Sequence, residues 1–222
     1  CSKEYNQNIN KMHGIVRYDI DKNNCNANAL TISNYLLLAK DAVSLNPPPQ
    51  YFATLQNGSF EISKRDVSGN LYSNVGNKFA FKSDPEFYPY SFTSTNETLE
   101  QNFCIKPIGD YNDLEVSIVP LETLIPGGNV KYKVLVHNKG NKISNGELSF
   151  DFDNTRMQFM NSSQSPVSVL GGKVKWIYSN ILPFGTMDFD INLRCNSPVE
   201  APPVNVGDTL RFAAAIKSQN RD

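Results

Sequence analysis

Residues 130–138, VKYKVLVHN, decide the fold of the chain because they alternate between two faces over the whole stretch. Successive side chains of a strand point to opposite faces. One face receives Val130, Tyr132, Val134 and Val136. The other face receives Lys131, Lys133, Leu135 and His137. The pattern predicts a half-buried antiparallel strand, with His137 on its solvent side.

The residues around this strand continue the β pattern. Leu114–Ile118 alternates in the same way, and Pro126-Gly127-Gly128 supplies a turn. Further strand-sized runs are Leu148–Phe152, Met157–Phe159, Val174–Tyr178, Met187–Leu193 and Thr209–Ile216. About seven strands separated by turns are typical of an immunoglobulin-like sandwich. Trp176 is predicted to fill its core, since a lone Trp in such a module is commonly buried.

The first half of the sequence also consists of short apolar runs separated by turn residues. The runs are Gly14–Tyr18, Leu36–Leu38, Tyr51–Thr54, Ser59–Ile62, Lys78–Phe81 and Gln101–Ile105. Asn57-Gly58 lies between two of them and predicts a hairpin, because both central positions of such a turn need positive φ. Since no amphipathic helix separates these runs, they indicate a small sandwich.

The domain organisation follows from an interruption of the pattern near Lys106–Asn112, where Pro107, Gly109 and Asp110 occur. We predict a polar tail or linker at 1–12, a first sandwich at 13–108 and a second at 109–222. A chain of 222 residues suits two modules of about 100 residues each. The predicted fold class is all-β, with two tandem antiparallel β-sandwiches joined by a short hinge.

Charge and hydropathy narrow the classes of partner. Lys and Arg number 21 against 22 Asp and Glu, and no basic block is present. Nucleic acid is therefore not an expected partner. The longest apolar run, Tyr35–Ala39, is the length of a strand, so no membrane insertion is expected within this chain. The chain has no initiator Met or signal peptide and stops after a strand-like run, which suggests a fragment of a larger protein.

The four cysteines show no zinc-site spacing, since none forms a CxxC pair and the chain has 2 His. Cys25 and Cys104 lie near the start and the end of the first predicted module. They suit a disulfide between its first and last strands, and two separate buried thiols are the alternative. Cys1 and Cys195 are candidates for free thiols.

Both halves resemble modules of Bacteroidetes-type surface and secreted proteins. The first half, through Gly14–Cys25 and Thr54–Ile62, is similar to a B-type, prealbumin-like repeat. The second half resembles an immunoglobulin-like conserved extracellular repeat, on residues 113–118, 126–128, 130–136, 138–141 and Trp176. The resemblance implies a spacer, stalk or adhesion-associated module, often exported by the type IX route, and it implies no catalysis.

A calcium site is the metal chemistry that the sequence suggests. Asp19, Asp21 and Asn23 occupy alternate positions of a polar loop, and the backbone carbonyl of Cys25 follows. Hard oxygen ligands at this spacing converge in calcium loops, and the resembling repeats can hold calcium in this loop. Asn24 stands where a Gly is usual, and no acidic residue follows within residues 26–34. A polar turn whose side chains bond nearby backbone groups is the alternative.

Two surface features are candidates for recognition and modification. Phe87, Tyr88, Tyr90 and Phe92 form an aromatic cluster that would stack on a glycan or contact a surface protein if exposed. Buried, the cluster would belong to the core. Asp208-Thr209-Leu210 matches a short acceptor pattern for O-glycosylation on Thr209 in the resembling bacterial group.

The sequence favours a function without catalysis. Nucleophile elbow, zinc-protease, P-loop and dinucleotide motifs are absent. The acid pairs Glu97/Glu100 and Asp188/Asp190 are formally conceivable as glycosidase carboxylates, but such pairs usually lie on a solvated surface. The expected function is an extracellular or cell-surface spacer with neighbouring domains of a larger chain as partners. The alternatives are a carbohydrate- or protein-binding module and an accessory domain of a secreted hydrolase.

Overall fold

A computed structural model describes residues 9–42, 48–65 and 68–219. The chain divides into two compact units, Cys1–Asp110 and Tyr111–Asp222. All eighteen regular elements of the described residues are β-strands, which confirms the all-β prediction. The described part contains no helix that is both long and apolar enough to cross a membrane.

The described residues of the first unit form ten strands in two sheets. They are β1 (Asn10–Tyr18), β2 (Leu30–Thr31), β3 (Leu36–Asp41), β4 (Gln50–Ala53), β5 (Ser59–Lys64), β6 (Ser68–Ser73), β7 (Phe81–Asp84), β8 (Phe87–Ser91), β9 (Thr98–Glu100) and β10 (Phe103–Pro107). One sheet has the order β4-β3-β6-β8. The other runs β2-β1-β10-β7, with β5 and β9 also paired to β1. The Tyr88 and Phe103 rings meet edge to face at 5.1 Å and join the two sheets.

Strand β1 organises the larger sheet because its two halves have different partners. Its first half pairs antiparallel with β5 and parallel with β9. Its second half pairs antiparallel with β2 and parallel with β10. The two parallel pairs depart from the antiparallel pairing that the sequence predicted. The first strand and the last strands of the unit run side by side in one direction, which requires the whole intervening chain as the connection.

Gly14 lies where β1 changes partners, and the close approach there requires a glycine. A Cβ at this position would lie 2.0 Å from the backbone oxygen of Gln101. The backbone of Gln101 in turn donates to His13 O at 2.8 Å. The absence of a side chain at Gly14 therefore allows the β9–β10 segment to pack directly onto β1.

The predicted polar tail 1–12 extends too far along the chain, because β1 already begins at Asn10. Asn10 and Met12 are both fully buried. The polar Asn10 is tolerated inside because its Oδ1 accepts a hydrogen bond from Glu97 N at 2.8 Å. Residues 1–8, including Cys1, lie outside the described residues.

The turn at Asn57-Gly58 exists, but the predicted hairpin is wrong. Gly58 has φ +75°, and Asn57 Oδ1 accepts from Ser59 N at 3.0 Å. The strands on either side belong to different sheets, since β4 pairs with β3 and β5 pairs with β1. The turn carries the chain from one sheet to the other, and local turn chemistry does not specify which strands pair.

The second unit is an antiparallel sandwich of two four-stranded sheets. Its strands are β11 (Leu114–Pro120), β12 (Asn129–Asn138), β13 (Ser144–Asp151), β14 (Met157–Ser162), β15 (Ser168–Leu170), β16 (Lys173–Ile181), β17 (Thr186–Cys195) and β18 (Ala213–Ser218). The sheet orders are β11-β12-β17-β14 and β15-β16-β13-β18. The sequence missed β15 and began the last strand too early, since residues 209–212 precede β18.

Both sheets of the second unit contribute their inner faces to one core. Every apolar residue predicted on the inner face of β12 is buried, from Val130 to Val136. Trp176 of β16 is buried as predicted and packs on Phe189 of β17 with ring centroids 5.4 Å apart. Its indole nitrogen donates to Gln164 O at 3.0 Å, so the buried polar group is satisfied.

Candidate functional site

Four apolar side chains form a row across the outer face of the sheet β4-β3-β6-β8. Leu38 of β3 lies opposite Tyr51 of β4 on one side and Tyr72 of β6 on the other. Tyr72 in turn lies opposite Phe87 of β8. Directly opposite residues share a face of a sheet. We call Tyr51, Leu38, Tyr72 and Phe87 the aromatic row.

The alternation of β3 explains why this row faces outward. Leu37 and Ala39 are buried against the interior, so Leu38 and Lys40 point the other way. Tyr51 is 58% exposed and Phe87 is 43% exposed. The Tyr72 and Phe87 rings lie 5.4 Å apart, and Lys40 Nζ lies 5.4 Å from the centre of the Tyr72 ring. This contact is a cation–π geometry.

A cavity of about 510 Å³ adjoins the aromatic row. Lys40, Lys78 and Lys82 line it together with one carboxylate, Glu86. Polar lining groups come from Ser73, Asn74 and Ser83. The combination of apolar rings and a few convergent polar groups is the usual composition of a ligand site.

Three of the four aromatic residues that the sequence singled out lie on β8 and separate onto its two faces, and Phe92 follows the strand. Phe87 points outward and belongs to the aromatic row. Tyr88 is half-buried, and its hydroxyl donates to Asn102 O at 2.8 Å. Tyr90 and Phe92 are buried, as in the alternative in which the cluster belongs to the core. Alternation along β8 turns Tyr88 and Tyr90 inward.

Tyr90 belongs to a charged network in the interior. Its hydroxyl donates a hydrogen bond to Asp41 Oδ1. Lys64 Nζ donates to the same oxygen and to Gln50 Oε1, both at 2.7 Å, and its side chain is 5% exposed. Burial alone would raise the pKa of Asp41, but the bonds from Lys64 and Tyr90 and the charge of Lys64 lower it below the usual value.

The predicted calcium loop is built on the carboxylate of Asp19. Asp19 is buried, and its Oδ1 accepts from Asn23 N at 2.7 Å and Cys25 N at 3.3 Å. Lys22, Asn24 and Cys25 have positive φ, so the loop curls around that oxygen. Within 9–42, 48–65 and 68–219, no three His, Cys, Asp or Glu side chains are grouped to hold a metal ion. The calcium prediction, with Asp21 and Asn23 as further ligands, stays a prediction.

The same loop is tied to the far end of the first unit. Cys25 and Cys104 form a disulfide with their Cα atoms 5.6 Å apart, across a sequence separation of 79 residues. Cys104 lies on β10, which pairs with β1. Cys195 of β17 is a free, buried thiol, and burial raises its pKa.

Side chains that could suggest other chemistry have structural partners. Lys133 Nζ lies 2.7 Å from Asp188 Oδ2 and 3.4 Å from Asp190 Oδ1 on the surface of the second unit. Glu97 caps its own turn through Ser94 N at 2.9 Å. Thr209 is exposed in the segment before β18, and its glycosylation stays a prediction.

The sequence missed Tyr51 and Tyr72 as members of the site. Each occurs in a strand of its own, and the run Leu36-Leu37-Leu38 does not show which leucine faces outward. Lys40 offered a weak signal. It lies two residues after Leu38, on the same face of β3, and a lysine is typical of a solvent-facing position. Only the register between β3, β4, β6 and β8 brings the aromatic row together.

No protein-family model and no curated protein sequence matches the chain. Solved structures show distant similarity. A DUF3823 family protein from Parabacteroides merdae ATCC 43184 aligns with TM-score 0.36 and 13% identity, over 95% of this chain and 91% of that chain. One from Bacteroides ovatus ATCC 8483 gives 0.34 and 9%, over 94% and 91%. The major pilin SpaD from Corynebacterium diphtheriae gives 0.33 and 9%, over 95% and 64%. At these TM-scores the similarity assigns neither a family nor a function.

Proposed function

We propose that the chain is a non-catalytic extracellular module that acts as a spacer within a larger bacterial surface protein. The observation that carries the proposal is the disulfide between Cys25 and Cys104, which closes the first unit between its early loop and its last strand. Disulfides persist in oxidising compartments outside the cytosol. A closed unit followed by a second sandwich with its own core suits a segment that holds other domains at a distance. Neighbouring domains of the parent chain would be its partners.

The spacer function is tested by pulling the full chain from both ends in a single-molecule force experiment. We expect two unfolding events. The first unit should add little extension when it unfolds, because the disulfide prevents the residues between Cys25 and Cys104 from being stretched. Reductant should lengthen that event by roughly 270 Å, from about 3.4 Å for each released residue. A chain that extends without force peaks would contradict a spacer under mechanical load.

A second candidate function is recognition of a ligand by the first unit. The exposed aromatic row and the cavity beside it favour this function, because exposed apolar patches with convergent polar groups mark interaction sites. The two candidates are compatible in one protein, since a spacer can also present a binding face.

A further inference from the structure

We propose that the aromatic row and its lysines bind an acidic oligosaccharide, a proposal that rests on the second candidate function. The site consists of Tyr51, Tyr72 and Phe87 as stacking surfaces, with Lys40, Lys78 and Lys82 around them. It lies entirely within the first unit.

The shape of the row suits an extended ligand with flat apolar faces. Four residues on neighbouring strands span about 14 Å, since strands lie about 4.8 Å apart. The faces of aromatic rings carry negative charge density and attract the polarised C–H bonds that sugar rings present. Tyr51 and Phe87 stand at the two ends of the row with large exposed fractions, so a chain of sugar rings can contact both.

The charge around the cavity selects an anionic ligand. Three lysines face a single carboxylate, Glu86, among the lining residues. In the part of the chain that the structure describes, none of Lys40, Lys78 and Lys82 forms an ion pair. Lys40 rests over the Tyr72 ring instead. Lys40, held beside an aromatic face without an ion-pair partner, is complementary to carboxylate or sulfate groups on a sugar.

An acidic peptide fits the face less well than a glycan. Extended peptides gain affinity by adding a strand to a sheet edge, where main-chain groups are free. The row crosses the face of four hydrogen-bonded strands, and β3 and β6 in its centre have both neighbours in place. A sugar chain needs no backbone partner, and its hydroxyls can bond the Asn74 amide in the cavity lining.

The test is isothermal titration of the full chain with three probes: a galacturonate hexasaccharide, neutral maltohexaose and a hexaglutamate peptide. We expect the galacturonate to bind most tightly and to weaken as salt rises from roughly 50 to 500 mM. Tyr51→Ala should weaken binding about tenfold, and Lys40→Ala/Lys82→Ala should reduce the salt dependence, since Lys78 remains. Leu170→Ala and Lys173→Ala, exposed positions of the second unit, serve as matched controls and should leave binding unchanged.

The outcomes separate the two proposals. Equal affinity for maltohexaose and galacturonate, with loss in Tyr51→Ala, would overturn the acidic ligand and leave recognition by the row intact. Hexaglutamate binding that Tyr51→Ala does not weaken would also overturn the proposal of a glycan ligand, since charge alone would then be enough for binding. No binding of any probe by a chain with an unchanged melting temperature would overturn both the acidic glycan and the recognition function.

Discussion

Lys64 shows, at the scale of one residue, how a charge is accommodated inside the first unit. Its ammonium group donates to Asp41 and Gln50, and its Nζ lies 5.8 Å from the centre of the Tyr90 ring. Lys64→Met should lower the free energy of unfolding by about 2 kcal/mol, because it removes charge-assisted bonds to a largely enclosed carboxylate. Lys11→Met, which breaks the solvent-exposed Lys11–Glu61 pair, should have a much smaller effect, because exposed ion pairs contribute little to stability. Urea unfolding measures both, and equal effects would contradict the difference in burial.

Asp41 should make the stability of the first unit depend on pH in the acid range. Its pKa in the folded protein lies below the value of the unfolded chain, which is about 3.9. The stabilisation is therefore fully present above about pH 4 and is lost as pH falls through the lower, folded pKa. Asp41→Asn should flatten this part of the curve of unfolding free energy against pH. An unchanged curve in the variant would assign the acid sensitivity to other carboxylates.

The calcium prediction can be separated from the structural role of Asp19. Asp19 holds the loop backbone, so Asp19→Ala should lower the melting temperature with or without calcium. Asp21→Ala leaves those bonds in place and removes a predicted ligand. We expect millimolar calcium, compared with chelator, to raise the melting temperature of the natural sequence by a few degrees and of Asp21→Ala by less. Identical melts of the natural chain in calcium and chelator would leave the loop a plain turn.

At the scale of elements, β1 requires a glycine at its centre. Gly14→Ala should destabilise the first unit by about 1 to 3 kcal/mol, because the new Cβ would meet a backbone oxygen that cannot move independently. His13→Ala changes the neighbouring residue on the opposite face and should cost less than about 1 kcal/mol. Chemical unfolding compares the two. A Gly14→Ala variant as stable as His13→Ala would show that β1 and the Gln101 backbone can separate without loss.

Elements that carry a local period could be predicted from the sequence, and their partners could not. The alternation of β12 is complete within residues 130–138, so its buried face was predicted correctly. Asn57-Gly58 specifies a turn, but the sheets that β4 and β5 join depend on β3 and β1, which are distant in sequence. The sequence did not decide whether Tyr90 lies on the surface or in the core, because its partners Lys64 and Asp41 lie on other strands. The aromatic row was missed for the same reason.

At the scale of the whole molecule, the two units have different covalent constraints and should unfold as separate transitions. The disulfide lies in the first unit and closes a loop of about 80 residues, which stabilises by about 4 kcal/mol in the loop-entropy account. Cys25→Ser/Cys104→Ser should therefore lower the melting temperature of one transition. The second transition should stay in place, because the core of the second unit is built from its own strands.

The buried thiol of Cys195 identifies which transition belongs to the second unit. Its side chain is inaccessible, and burial raises its pKa, so both access and thiolate formation are suppressed until the second unit opens. Two variants are compared, Cys1→Ser and Cys1→Ser/Cys25→Ser/Cys104→Ser, and both keep Cys195. A thiol reagent should label Cys195 at the same rate in both, because serine does not react with it. Labelling should accelerate only at the temperature of the second transition. If loss of the disulfide speeds labelling of Cys195, the two units unfold as one cooperative structure.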